Sequence, residues 1–157
     1  MEKRMTVSQN LKIVEMNEAH IPALAALERK CFSQPWSEQA LRDELDNHTA
    51  HFLAAELDGE TVGYIGIFVV CESCYVSNIA VQPELRRRGI ATSLIESACD
   101  LASGLGAESI SLEVRPSNTG AVALYSVLGF EQVGLRKNFY RDPAEDGAIM
   151  TRELKKR

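Results

Sequence analysis

The stretch Val81-Gln82-Pro83-Glu84-Leu85-Arg86-Arg87-Arg88-Gly89-Ile90-Ala91 decides the fold, because a strand and a long helix meet in it. Residues 75–81 read as a strand, and Pro83 ends it because proline cannot donate to a strand ladder. From Gly89 to about Ser103 apolar residues recur every three to four positions, which is the period of a helix buried on one face. The sequence therefore predicts a strand, a basic turn and a helix in immediate succession.

This turn has the chemistry of a phosphate site. The first turn of a helix leaves backbone N–H groups unpaired and carries the positive end of the helix dipole. Gly89 allows an anion to approach the backbone, Ala91 keeps the next turn open, and Arg86, Arg87 and Arg88 can neutralise a pyrophosphate. A solvated run of arginines is the alternative interpretation. Walker loops and G-x-G-x-x-G dinucleotide loops do not fit the segment, so another phosphate-bearing cofactor is indicated.

Two helices are predicted before this stretch. Asn17 can cap a helix that runs from Glu18 to about Phe32. Ser37 can cap a second helix, which carries Leu41 and Leu45 on one face. The buried face of the first helix is predicted to hold residues at three-to-four spacing, namely Ile21, Leu24, Ala25, Leu27 and Glu28.

The strands predict a mixed sheet. Asp58-Gly59 favours a tight hairpin between the first two strands, which makes that pair antiparallel. The helix after Gly89 permits a parallel pair with a right-handed crossover, and a further helix is predicted at about 118–128. Residues 135–147 read as a long polar connection to a last edge strand. The predicted strands are 51–57, 61–71, 75–81, 109–114, 130–134 and 148–154.

Composition restricts the class of protein. A chain of 157 residues with 45% apolar residues is expected to form one domain over residues 1–157. Seventeen Lys and Arg against 22 Asp and Glu give a net charge of -5, so no direct nucleic-acid binding is expected. The N-terminus Met1-Glu2-Lys3-Arg4 and the lack of a long apolar run predict a cytoplasmic protein without membrane contact.

The four cysteines, Cys31, Cys71, Cys74 and Cys99, are expected to be reduced thiols. Cys71 and Cys74 have C-x-x-C spacing, but no second pair or nearby histidine completes a zinc site, so no metal is expected. No cysteine has an adjacent histidine or lies at a helix start, which disfavours a covalent cysteine mechanism.

The turn then reveals a resemblance. The pattern R/Q-x-x-G-x-G/A at Arg86–Ala91 resembles the acetyl-coenzyme A loop of the GCN5-related N-acetyltransferase (GNAT) family. Asn78-Ile79-Ala80-Val81 and the later block Ala123–Phe130 match that family in order and spacing. The resemblance covers essentially the whole chain. It implies an α/β fold with a mixed central sheet of about six to seven strands flanked by about four helices, and acetyl-coenzyme A as cosubstrate.

Within the family the chain most resembles the ribosomal-protein-alanine N-acetyltransferases of the RimI type. The implied activity is acetylation of a protein N-terminal α-amine, with a ribosomal protein as the expected partner. Ala91 replaces a glycine of many relatives, and Phe139 replaces a common tyrosine. The stretches that carry this closer resemblance are Phe32–Ser37, Leu112–Asn118, Tyr125–Phe130, Arg136–Tyr140 and Asp146–Met150.

The resemblance also assigns roles to residues. Glu113 is implied as the general base and Tyr125 as the general acid, while Trp36 and Tyr140 are implied to surround the entering peptide. Asp142, Glu145 and Asp146 are expected to attract a basic chain. The implied cofactor contacts are the main chain of Ile79, Ala80 and Val81, the turn Arg86, Arg87, Arg88, Gly89, Ile90, Ala91 and Thr92, and the side chains of Asn118 and Tyr125.

Each assignment has a structural alternative. Glu113 can be a surface residue paired with Arg115, and Tyr125 can be a core aromatic that shares helical spacing with its neighbours. Asn118 can be a simple helix cap. At the level of function, the alternatives are an acetyltransferase for a lysine side chain or a small amine, and a non-catalytic acyl-coenzyme A binding module.

Overall fold

A computed structural model describes residues 10–154 of the chain, so Met1–Arg4, on which part of the localisation argument rests, lie outside the described residues. This part of the chain contains four α-helices: α1 (Ile21–Cys31), α2 (Glu38–Asp43), α3 (Ile90–Gly104) and α4 (Thr119–Val127). Its strands are β1 (Leu11–Glu15), β2 (Ala50–Leu57), β3 (Glu60–Val70), β4 (Ser73–Val81), β5 (Ser109–Val114), β6 (Glu131–Tyr140) and β7 (Glu145–Glu153).

The strands form one mixed sheet in the order β1-β2-β3-β4-β5-β7-β6. Strands β4 and β5 are parallel, with Tyr75 opposite Ser111, and α3 provides the crossover between them. The pairs β1–β2, β5–β7 and β6–β7 are antiparallel. The predicted mixed sheet of six to seven strands with four helices is therefore confirmed.

Local sequence signals set the helix starts. Asn17 accepts a hydrogen bond from the Ala19 backbone N–H at 2.8 Å and forms a capping box with His20, although the first turn is 3-10 and α1 begins only at Ile21. Ser37 Oγ accepts from the Ala40 N–H at 3.0 Å, as the predicted cap requires.

Leu45 departs from the predicted buried face of the second helix. Helix α2 ends at Asp43 and a 3-10 turn follows, so the angle between successive side chains changes. As a result Leu41 is fully buried, whereas Leu45 is 37% exposed.

The hairpin between β2 and β3 is confirmed. Asp58 and Gly59 have φ of 54° and 84°, and two successive positive values are those of a type I′ turn. A second turn at Cys71, with φ of 56°, leads into β4, which begins two residues before the predicted strand.

The prediction for the last third of the chain was wrong in two respects. Residues 135–140 continue β6, so the connection to β7 is short rather than a long polar loop. Strand β7 lies between β5 and β6, and β6 is the edge. Because most side chains of β6 are exposed, they lack the apolar alternation from which a strand is predicted. The short strand β1 was also missed.

By their contacts the described residues fall into two compact units, and the boundaries of these units lie within β3, β4 and α3. The first unit comprises residues up to Ile67 together with Ser77–Ala98. Its core includes the predicted buried face of α1 and the inner face of α3. The second unit comprises Phe68–Val76 and the residues from Cys99 onward, and Ile110, Leu112 and Met150 are buried in it. A single domain over residues 1–157 stays a prediction.

All four cysteines are free thiols, with Cys71 exposed in a turn and Cys74 buried in β4. Between residues 10 and 154, no three His, Cys, Asp or Glu side chains are grouped so as to hold a metal ion. In the same part of the chain, no helix has the length and apolar character needed to cross a membrane.

We predict that Gly66→Ala destabilises the protein by about 1 to 3 kcal/mol, the usual effect of overpacking a core. A Cβ at Gly66 would lie 2.5 Å from the Phe52 ring, which is itself buried. Urea denaturation measures the change. Gly104→Ala is the control, because a Cβ at the end of α3 meets no atom within 4 Å. Equal stability of Gly66→Ala and the wild type would contradict the packing described here.

Candidate active site

The basic turn before α3 has the conformation that an anion site requires. Arg87 and Gly89 have φ of 66° and 86°, and the side chains of Arg86, Arg87 and Arg88 are exposed. Ser93 donates to the Gly89 carbonyl oxygen at 3.0 Å, which closes the first turn, and Ile90 is buried beneath it. The helix start and the three cations therefore face solvent together.

One of these arginines is held by a thiol. Arg86 Nη2 donates to Cys31 Sγ at 3.4 Å, at the end of α1. Burial raises the pKa of the Cys31 thiol, and the nearby Arg86 guanidinium opposes this only in part. Burial also raises the pKa of Cys74 to about 12. Neither thiol has the depressed pKa of a nucleophile.

The segment predicted to bind the pantetheine arm lies in β4. Ala80 and Val81 are buried there, beside Gly63 of β3. A Cβ at Gly63 would lie 2.8 Å from the Ala80 carbonyl oxygen, so this glycine permits the two main chains to approach closely.

Glu113 is a carboxylate of the second unit that is shielded from solvent and has a raised pKa. Its side chain is only 3% exposed, near the end of β5. Tyr75 donates a hydrogen bond to Oε1, and Arg136 Nε lies 3.0 Å from Oε2 as an ion pair. Within the described chain, however, no donor makes a hydrogen bond to Oε2, so the contact with Arg136 is an ion pair alone. Burial raises the pKa of this carboxyl, and Arg136 opposes that rise.

The alternative interpretation of Glu113 was therefore wrong. Arg115 does not pair with Glu113 but with Glu145, at 3.3 Å, and it also donates to the carbonyl oxygens of Arg141 and Pro143. The Glu113 side chain is 3% exposed, and its ion-pair partner is Arg136 instead of Arg115.

Two tyrosines accompany Glu113. Tyr125 on α4 is 7% exposed and its ring lies 5.8 Å from that of Phe130, so its core role is real. Burial raises its pKa to about 12. Tyr140 lies 4.4 Å beneath the Arg115 guanidinium, and burial, followed by the charge of Glu113, raises its pKa to about 12. Tyr125 also contributes to the raised pKa of Tyr140, whereas the Arg115 guanidinium opposes it.

Three other predicted residues of this unit accept hydrogen bonds from backbone N–H groups. Asn118 caps α4 by accepting from the Ala121 N–H at 3.2 Å, as its alternative interpretation required. Glu145 accepts from the Ser117 N–H at 2.8 Å, and this bond lowers the pKa of its carboxyl. Asp146 accepts from the Asn138 N–H at 2.8 Å. Two of the three predicted acidic attractors thus accept hydrogen bonds from main-chain N–H groups of this unit.

Trp36 lies in a polar cluster of the first unit. Its backbone N–H donates to Glu28 Oε1 at 2.9 Å, and Tyr64 donates to Glu28 Oε2 at 2.6 Å. With the amide of Asn78 turned so that both of its groups are paired, the Asn78 oxygen accepts from Trp36 Nε1 at 3.1 Å. The Trp36 ring lies 6.0 Å from that of Phe52.

Comparison with known proteins decides the family. The profile of the Acetyltransferase (GNAT) family matches residues 21–130, which include the basic turn, Glu113 and Tyr125. The chain belongs to the GNAT family. Members of this family use acetyl-coenzyme A as the acetyl donor.

Two GNAT relatives and one solved structure are similar over nearly the whole chain. The ribosomal protein bS18-alanine N-acetyltransferase of Escherichia coli (strain K12) is 31% identical over 88% of this chain and 94% of that protein. The N-alpha-acetyltransferase RimI of Mycobacterium tuberculosis (strain ATCC 25618 / H37Rv) is 33% identical over 93% and 94%. The crystal structure of the ribosomal-protein-S18-alanine N-acetyltransferase from Escherichia coli has a TM-score of 0.84 at 29% identity, covering 94% of this chain and 96% of that chain.

Sequence reasoning missed the partners of the GNAT site residues. Tyr75 lies on β4, which pairs with the β5 strand of Glu113, and Arg136 lies on β6, one strand further away beyond β7. No local pattern in the sequence records that arrangement. Glu28 did leave a signal, since a charged side chain stands on the apolar face of α1. Its hydrogen bonds to Trp36 and Tyr64 explain why.

We predict that Glu113 and Glu145 have opposite effects on the pH dependence of stability. The raised folded-state pKa of Glu113 contributes stability below its unfolded value of about 4.3, and that contribution is lost as pH rises through the folded pKa. The lowered pKa of Glu145 contributes stability above about 4.3, which is lost as pH falls through its folded pKa. Urea unfolding of Glu113→Gln and Glu145→Gln across acidic and neutral pH should give stability differences from the wild type that slope in opposite directions. Slopes of the same sign would contradict these environments.

Proposed function

We propose that the protein transfers the acetyl group of acetyl-coenzyme A to the N-terminal α-amine of ribosomal protein bS18, with alanine as the first residue. The observation that carries the chemistry is the buried Glu113, whose Oε2 accepts no hydrogen bond from the described residues. The acceptor follows from the Escherichia coli relative, which is named for this reaction.

The basic turn would bind the pyrophosphate of the cosubstrate. The cations of Arg86, Arg87 and Arg88 and the N–H groups of the helix start, at Gly89 through Thr92, supply the counter-charge. Ile79, Ala80 and Val81 would pair through their main chains with the amides of the pantetheine arm, as a strand pairs with a peptide. Asn118, beyond its role as a cap, would contribute a further polar contact.

Glu113 would prepare the nucleophile. An α-ammonium group titrates near 7.7 to 8.0, so most of the acceptor carries an extra proton at neutral pH. Glu113 Oε2 takes that proton, directly or through water, and its raised pKa makes it a stronger base than an exposed carboxylate. The neutral amine then attacks the thioester carbonyl, the new C–N bond forms and the C–S bond breaks.

Tyr125 would act on the departing sulfur. With a pKa of about 12, its hydroxyl remains protonated at neutral pH and can donate to the thiolate. A free thiol titrates near 8.5, so complete proton transfer from Tyr125 is unfavourable. Tyr125 therefore stabilises the leaving group mainly through a hydrogen bond. The second proton, which the attacking nitrogen loses as the amide forms, passes to the thiolate, so coenzyme A leaves as the thiol.

The acceptor peptide would lie against Trp36 and Tyr140. The Tyr140 ring is held by the Arg115 guanidinium at 4.4 Å and by the Phe139 ring at 4.9 Å, so a fixed aromatic surface would be available to the peptide. The net charge of -5, with the exposed Asp142 in the turn after β6, would favour a basic polypeptide.

Gly89→Glu is predicted to weaken acetyl-coenzyme A binding at least about tenfold, because it adds a negative charge at the proposed phosphate site. The matched control is Gly59→Glu, which adds the same charge in the β2–β3 turn. Both glycines have a positive φ, 86° and 84°, and a Cβ at either meets no atom within 4 Å. Isothermal calorimetry should show near-normal affinity for Gly59→Glu, and equal affinities for the two variants would place the phosphates elsewhere.

The chemical proposal is tested with peptides. The wild type should acetylate a peptide of the bS18 N-terminus that begins with alanine. It should modify neither the same peptide with its α-amine blocked nor, in a separate assay, a small polyamine. Glu113→Gln should lower kcat by about 10²- to 10⁴-fold, or roughly 3 to 5 kcal/mol of barrier, with the deficit shrinking as pH rises and the amine loses its proton. Tyr125→Phe should lower kcat while costing at most about 1 to 2 kcal/mol of stability. Acetylation of the blocked peptide on lysine, or of the polyamine, would support the alternative acceptors instead.

A further inference from the structure

We propose that Glu28 is a positioning residue that fixes Trp36 in the orientation in which it receives the acceptor peptide. This inference rests on the proposed function, because it takes Trp36 to be part of the acceptor site. Glu28 itself touches neither the peptide nor the cosubstrate in this proposal.

The hydrogen bonds of Glu28 connect three parts of the first unit. Glu28 lies on the inner face of α1 and is 2% exposed. Its Oε1 accepts from the backbone N–H of Trp36, in the segment between α1 and α2, at 2.9 Å. Its Oε2 accepts from the hydroxyl of Tyr64 in β3 at 2.6 Å. One side chain thus joins the inter-helix segment to the sheet.

Trp36 is held at two further points. The Asn78 amide oxygen accepts from its indole Nε1 at 3.1 Å and also lies 3.0 Å from the Tyr64 hydroxyl. The Phe52 ring packs 6.0 Å from the indole on one side and 6.0 Å from Tyr64 on the other. Main chain, indole nitrogen and ring are all restrained, and Tyr64 belongs to each set of contacts.

The position of Glu28 shows that packing alone does not account for it. Glu28 shares the apolar face of α1 with Leu24 and Leu27, and burying a carboxyl group there carries a desolvation penalty that a leucine would avoid. A leucine, however, could not accept a hydrogen bond from the Trp36 backbone N–H. This N–H lies outside any helix or strand and donates to Glu28. Glu28 therefore serves the conformation of the Trp36 segment.

The test uses two substitutions. Glu28→Leu removes both acceptor oxygens at similar volume, whereas Glu28→Gln keeps one oxygen for the Trp36 N–H and an NH₂ group toward Tyr64, whose hydroxyl can rotate to accept. Glu28→Leu should raise the peptide KM about tenfold or more while changing the acetyl-coenzyme A KM less than about twofold, and Glu28→Gln should restore most of the peptide affinity.

Trp36 is the single tryptophan of the chain, so its fluorescence reports the same contacts without any turnover. Acrylamide quenching should rise at least about twofold in Glu28→Leu and stay near the wild-type value in Glu28→Gln. Should Glu28→Leu not fold, Tyr64→Phe is measured in its place. Loss of the Tyr64 hydroxyl leaves one oxygen of Glu28 unpaired, and a smaller change in the same direction is expected.

Leu27→Ala is the control for stability, because it removes buried volume from the next position of α1 without touching a hydrogen bond of Trp36. It should lower Tm while leaving the peptide KM and the quenching unchanged well below the transition. Equal effects of Leu27→Ala and Glu28→Leu, or wild-type peptide KM and quenching in Glu28→Leu, would overturn the inference. If the wild type acetylates no peptide, the proposed function fails, and the quenching data still decide whether Glu28 holds Trp36.

Discussion

A parallel pair of strands cannot be joined by a tight turn, and the pairing of β4 with β5 therefore requires the long crossover through α3. This requirement determines where the start of α3 lies, just beyond the end of β4, with a turn in which Arg87 and Gly89 adopt positive φ. The helix start, the three arginines and the family motif all lie in this single connection. The remaining strands are added around it as antiparallel neighbours.

Two glutamates whose side chains are almost fully shielded from solvent differ in their hydrogen bonding. Each oxygen of Glu28 accepts one hydrogen bond from a donor of the protein, so this carboxylate holds its neighbours in place. The Glu113 side chain is 3% exposed, yet only Oε1 accepts a hydrogen bond from the described residues, and Oε2 lies in an ion pair with Arg136. Burial without full hydrogen bonding is what makes a carboxylate both costly and basic.

A structural feature can be predicted from the sequence when the residues that determine it are close together along the chain. The caps at Asn17 and Ser37, the Asp58-Gly59 hairpin and the bounds of β5 are local, and they were predicted correctly. The insertion of β7 between β5 and β6 depends on which edges are available in the folded sheet, and no periodicity records that. Likewise the family resemblance pointed to Glu113, but Tyr75 and Arg136 became visible as its partners only once the register of neighbouring strands was known.

The late position of β7 in the chain affects how the protein is made. Strand β5 carries Glu113, and its antiparallel neighbour is β7, which is synthesised only after α4 and β6. A nascent chain on the ribosome thus presents β5 with an unpaired edge until this distant strand emerges, and such edges invite pairing with other chains. Sheet completion is therefore a late, non-local step of folding, because β5 gains its second neighbour only once β7 has been made.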